Sequence, residues 1–179
     1  MKLRILMLLM VGTFAASLTA QAAAPFGGAD DVNYSRDLWS SLTKAGLVGS
    51  NAVMSQPYDG QAPHGKVLDT IDSTVTVNGT TGAVIVKRNY GGPGVSVGAV
   101  ATDPAKYLKA VTVMFKRKGY DADDKDWFWA KFKPDGSLDV NPKGMKLAGK
   151  VAKGKPKGCI ACHTAAPGGD MVFKHDRIQ

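Results

Sequence analysis

The residues with the clearest chemistry are Cys159-Ile160-Ala161-Cys162-His163. Two thiols three positions apart, followed at once by an imidazole, have the spacing for covalent attachment of one haem: each sulfur adds to a vinyl group as a thioether. His163 then lies close enough to give a ring nitrogen to the iron. Cys159 and Cys162 are the only cysteines in the chain, so none is left for a disulfide framework. The pair could itself be a disulfide or a thioredoxin-like redox pair, but such a pair is expected near the start of a βαβ unit. This one lies close to the C-terminus. A tetrahedral zinc site needs four ligands, and there is no second cysteine pair to supply them. The motif therefore reads as one covalently bound haem c, held by Cys159, Cys162 and His163, with His163 as the metal ligand.

The N-terminus supports that reading. Lys2 and Arg4 precede an apolar run from Ile5 to about Ala16, and small residues follow, with Ala20-Gln21-Ala22 as an Ala-x-Ala cleavage site. This is the pattern of a secretory signal peptide, residues 1–22, with cleavage after Ala22 or, as a second choice, after Ala24. The run is too short for a comfortable membrane span, and no other stretch approaches the roughly 20 apolar residues required. The expected mature chain, residues 23–179, is then one periplasmic domain, long enough to bury a core. Of the formal charge of +8, Lys2 and Arg4 contribute two, so +6 remains after processing. The lysines are dispersed and an exported protein rarely meets nucleic acid, so the excess reads as a solvated basic surface or a docking face for an acidic redox partner. The Lys-rich stretch from Lys143 to Lys157 could serve as either.

The elements that must position the motif follow from periodicity. Asp30 to Gly46 predicts a helix, with Asp31 or Asn33 as cap, a stripe of Leu38, Trp39, Leu42 and Ala45, and Gly46 just past its end. Asn51 to Gly65 predicts loop. Lys66–Ile71, Thr74–Val77, Ala83–Arg88, Val95–Val100, Tyr107–Lys116 and Trp127–Phe132 predict strands or extended segments, with turns at Asn78–Gly82 and Pro134–Ser137. After Asn141 the chain is rich in Lys and Gly and predicts a loose wrap, ending in a short helix over Cys159–Thr164. The fold class is thus mainly β: an antiparallel sheet with an N-terminal helix and a short C-terminal haem-bearing helix. Small electron-transfer cytochromes c are helical with the motif near the N-terminus, and four-helix cytochromes c′ carry it on a long helix; neither shape fits.

A β-rich exported chain with a C-terminal Cys-x-x-Cys-His resembles the cytochrome P-460 family and its relative cytochrome c′-beta. The similar stretches are Thr81–Lys87, Asp126–Phe132, Gly158–His163 and Asp170–Phe173. The resemblance implies a homodimer of β-sheet subunits, with haem ligated by histidine on one side and open on the other. It also implies a small nitrogen ligand, hydroxylamine or nitric oxide, and leaves open whether the protein turns it over as an oxidoreductase, binds it, or only transfers electrons to a partner protein. In P-460 proteins a strand lysine is bonded to the haem macrocycle, and Lys87 matches it by its place after the Gly-x-Val-x-Val run. Lys87 shares a strand face with Ile85, which allows it to point at the haem; the alternative is a surface lysine. The family's hydroxylamine oxidisers carry a distal carboxylate, and even spacing back from Asp126-Trp127 puts that position at Val111. No Asp or Glu lies between Asp103 and Asp121, so this distal pocket is expected to lack a general base and to favour uncharged diatomic gases.

A second axial ligand would make an electron-transfer haem instead. Met54, Met114, Met145 and Met171 read as packing, and His64 and His175 as surface positions in a loop and a polar tail. Trp127 and Trp129 share a strand face and read as sheet core rather than haem wall. Tyr90 and the Gly91–Gly94 loop could border the distal opening.

Overall fold

The computed structural model describes residues 25–173. The expected signal peptide and His175 lie outside the described residues. The order of elements is α1 (Ala29–Lys44), β1 (Tyr58–Asp59), β2 (Val67–Val77), β3 (Thr80–Tyr90), α2 (Val97–Thr102), α3 (Pro104–Tyr107), β4 (Leu108–Lys116), β5 (Trp127–Phe132), β6 (Ala148–Gly149) and α4 (Cys159–His163). The strands form one six-stranded sheet in the order β1-β2-β3-β4-β5-β6, every pair antiparallel. The fold is the expected one, mainly antiparallel β with a helix at each end.

Strand alternation divides the sheet into two faces. Val84 and Val86 of β3, Val111, Val113 and Phe115 of β4, and Phe128, Ala130 and Phe132 of β5 point to one side and make the main core with Tyr34, Leu38 and Leu42 of α1. The opposite face carries Ile85, Met114, Trp127 and Trp129, which pack with Val151, Ile160, Met171 and Val172. Register makes this second face two rows across three strands. Ile85 pairs with Met114 and Met114 with Trp129; two residues along, Lys87 pairs with Thr112 and Thr112 with Lys131.

Helix α1 has Asp30 and Asp31 in its first turn and Lys44 in its last, the signs that suit the helix dipole. No side chain caps it. Asp31 instead accepts from the backbone of Gly27 and from the Tyr120 hydroxyl, and Asn33 accepts from Arg36. The helix stops as its sequence predicts: Gly46, at φ +68°, lets its N–H reach Thr43 O and the Leu47 N–H reach Leu42 O, which satisfies two terminal carbonyls.

Three expectations are corrected. The two expected segments make one continuous strand, β2 (Val67–Val77), and its turn to β3 is only Asn78-Gly79, both at positive φ. Val95–Val100 was expected to be extended, but the region holds α2, because Ser96 accepts from Ala99 N and caps it while Val100 buries completely. Cap chemistry and burial outweigh the extended preference of the valines. The segment after Asn141 is not loose. Ala148 pairs with β5, and Leu147, Ala148 and Val151 pack on the sheet. The lysines and glycines between them hid this pattern.

Loop 47–55 is tied to the sheet by a buried ion pair. Arg88 Nη1 donates to Asp69 Oδ2 at 2.6 Å, and Arg88 Nη2 donates to the carbonyls of Leu47 and Val53 at 2.8 and 2.7 Å. Asp69 also accepts from Ser55 N and Tyr90 Oη.

Candidate haem site

Helix α4 places Cys159, Cys162 and His163 within one turn and a half, with the two sulfurs three residues apart on neighbouring helical positions. Gly158 begins it at φ +137°, and a Cβ there would sit 2.3 Å from that of Ala152. The turn into the motif therefore requires glycine. Both thiols are free, Cys159 half-buried and Cys162 exposed, and burial raises the Cys159 pKa.

The helix faces a cavity of about 800 Å³ over the second face of the sheet. Its apolar wall includes Ile85, Met114, Trp129, Leu147 and Val172, and its polar wall includes Lys87, Asn89, Thr112 and Lys131. No Asp or Glu among the described residues lines it, whereas Lys66, Lys87, Lys109, Lys131 and Lys157 do. A flat apolar group bearing carboxylates would suit such a space: Ile85, Met114 and Trp129 would pack on its apolar part and the lysines would pair with its acids.

His163 is oriented for a metal. Its Nδ1 lies 2.7 Å from Met171 O. A carbonyl only accepts, so Nδ1 carries the hydrogen and Nε2 keeps its lone pair. Trp129 and Phe173 contact the ring edge-on, with centroids 4.9 and 5.4 Å away. Burial lowers the His163 pKa, and the Lys87 ammonium lowers it further, which favours the neutral imidazole a metal needs.

The structure brings Lys87, Cys159, Cys162 and His163 to the same cavity. A family model for cytochrome P460 matches residues 69–174, more than half of the chain and every strand that builds the cavity floor. The chain belongs to the cytochrome P460 family. Membership makes it a haem-binding cytochrome of a typically extracellular or periplasmic family, and no helix among the described residues is long and apolar enough to cross a membrane. No curated protein and no solved structure matches the chain.

Other expected positions fall differently. Val111 does not line the cavity: it is 2% exposed in the main core, on the α1 side of the sheet. A carboxylate there would be buried unpaired among valines and phenylalanines, not presented to iron. Thr112 holds the cavity position instead. Trp129 lines the cavity as well as packing in the core, while Trp127 does not line it and donates Nε1–H to Asp170 O. Phe132 lies on the α1 face, away from both tryptophans. Met114, Tyr90 and Gly91 line the cavity; Met145 and Met171 pack in the apolar cluster behind its wall, and Met54 packs with Val67 and Tyr90 in a separate cluster.

His64 is no surface residue. It lines the cavity, and its ring centroid lies 6.3 Å from that of His163 with the planes at 84°. Burial, then the Lys87 ammonium, lower its pKa to about 4, so its ring is neutral at ordinary pH. The sequence offered His64 as a possible second axial ligand and read it as a surface position, and its partner Asn89 was passed over. The available signal for Asn89 was its place two residues after Lys87, hence on the same strand face.

Proposed function

We propose that this cytochrome P460 family member is an exported single-haem c-type cytochrome that binds or redox-converts a small nitrogen species, nitric oxide or hydroxylamine. The observation that carries the reading is the convergence of Cys159, Cys162, His163 and Lys87 on one cavity in a chain of this family. The haem, when bound, supplies an iron centre that takes up electrons and coordinates nitrogen ligands. The chain's own residues do the rest. Cys159 and Cys162 anchor the group, and His163 offers Nε2 while Met171 O fixes its ring. Ile85, Met114 and Trp129 exclude water from the macrocycle. Lys87, on β3 between Thr70 and Thr112, is the residue proposed to bond to it.

With no carboxylate among the described residues of the cavity wall, the uncharged ligand nitric oxide is favoured over a reaction that needs a carboxylate base. Electron transfer alone is the second reading, and the position of His64 opposite His163 favours it. Assembly as a homodimer and exchange of electrons with a partner protein complete the proposal.

Optical spectra of the ferrous protein test it. Wild type should show a broadened, red-shifted Soret band, and Lys87→Ala an ordinary haem c band; identical spectra would refute the lysine bond. Titration with nitric oxide should saturate at one equivalent per haem. Failure to bind nitric oxide, together with no turnover of hydroxylamine, would leave electron transfer alone.

A further inference from the structure

We infer that His64 is the second axial ligand of the haem iron in the resting protein, so that any small-molecule ligand must displace it. The inference rests on the haem reading above and adds to it the state of the iron face opposite His163.

The tautomer of His64 follows from its partner. Asn89 Nδ2 lies 2.9 Å from Lys87 O and 3.3 Å from Ala110 O, both of which only accept, so the amide nitrogen is identified and Oδ1 faces the other way. His64 Nδ1 lies 2.9 Å from that Oδ1 and must therefore donate to it. Nε2 of His64 is left with its lone pair. Asn89 is 5% exposed, so the anchor is built into the sheet and does not depend on solvent. His64 and His163 thus share one design: Nδ1–H pinned by an acceptor in the protein and Nε2 unprotonated, both rings lining one cavity. That is how protein frameworks orient imidazoles for metals.

The spacing selects ligation over a looser role. An imidazole nitrogen sits about 2 Å from a metal and roughly 1.1 Å from its own ring centroid, so two axial imidazoles on one metal have centroids roughly 6–6.5 Å apart. The observed 6.3 Å falls in that range. A second histidine that only hydrogen-bonded a ligand on the iron would need roughly 8–9 Å, because the ligand atom and a hydrogen bond lie between. The planes of the two rings stand at 84°, an angle that two axial imidazoles can adopt.

The backbone holds His64 where it is. Gly60 N donates to Lys66 O at 2.8 Å and His64 N to Gln61 O at 3.0 Å, closing the loop on itself. Gly65 presses on β3 so closely that a Cβ would meet both N and O of Tyr90 at 2.5 Å, and its N–H donates to Asn89 Oδ1. A ligand held this way loses little freedom on binding metal.

The test uses the matured holoprotein. Wild type should be low-spin in both oxidation states, His64→Ala should become high-spin, and added imidazole should restore the low-spin spectrum of that variant. Nitric oxide should bind His64→Ala at least about tenfold faster than wild type, since only the fraction of wild type with His64 off the iron is competent. A high-spin wild type, or a His64→Ala variant that stays low-spin without imidazole, overturns the inference. Those outcomes leave the nitric oxide reading intact. Conversely, the spin change on His64→Ala with no nitric oxide uptake in either protein supports the inference and ends that reading. Electron paramagnetic resonance of the ferric proteins gives the spin state without any activity measurement.

Discussion

Matured in a Lys87→Ala background, so that no lysine bond can hold the group, the Cys159→Ser/Cys162→Ser protein should lose all of its haem on extraction with acidified organic solvent, while wild type keeps all of it. Each thioether survives denaturation, and each axial bond does not. Single replacements should retain the haem through the remaining sulfur, since Cys159 and Cys162 both reach the cavity from adjacent positions on α4. His163→Ala should retain covalent haem as well but change its spectrum, because the nitrogen pinned through Met171 O is gone. The double variant should also melt at lower temperature than wild type. Its apolar wall of Ile85, Met114 and Trp129 then faces water with no macrocycle over it, and the stabilisation from a tightly bound group is lost. Extractable haem in wild type would refute attachment through this motif.

Asp69→Ala should cost about 3–5 kcal/mol, a large part of the 5–15 kcal/mol that stabilises a typical domain. Asp69 is fully buried and its 2.6 Å partner Arg88 is nearly so, and removing the carboxylate leaves a guanidinium charge uncompensated in the interior. It also deprives Ser55 N and Tyr90 Oη of their acceptor. Denaturant midpoints measure this. Asp69→Leu/Arg88→Met removes both charges and should cost less than Asp69→Ala alone, because no ion is stranded. A loss below about 1 kcal/mol for Asp69→Ala would mean that water reaches Arg88 and screens it. The effect bears on the cavity too, since Arg88 sits between Lys87 and Asn89 on β3 and holds the strand from its other face.

The sequence made some of this legible and hid the rest for definable reasons. Trp127–Phe132 and the hairpin around Asn78-Gly79 are local signals, alternation and turn chemistry; the strand lies where it was read, and the turn is tighter than the Asn78–Gly82 expected. The haem motif needed only five adjacent residues. Val111 failed because face assignment depends on cross-strand register. Val111 pairs with Phe132 on the α1 side, while Thr112 pairs with Lys131 on the cavity side, and a shift of one residue exchanges the faces. His64 was hidden because its environment is made by Asn89, far along the chain, and by a loop whose shape depends on Gly65 meeting Tyr90. Taken alone, a histidine between Pro63 and Gly65 carries no sign of burial. Val95–Val100 was misread as extended because the six-residue helix there, Val97–Thr102, is decided by Ser96 at its start, and three valines in that region speak for strand.

The strand order has a consequence for the timing of assembly. Every neighbour in the sheet is also the next strand along the chain, so the β meander can close hairpin by hairpin from the Asn78-Gly79 turn without waiting for the tail. The thiols at 159 and 162 follow every strand of the sheet and belong to none, so the sheet face beneath them can form before α4 settles on it.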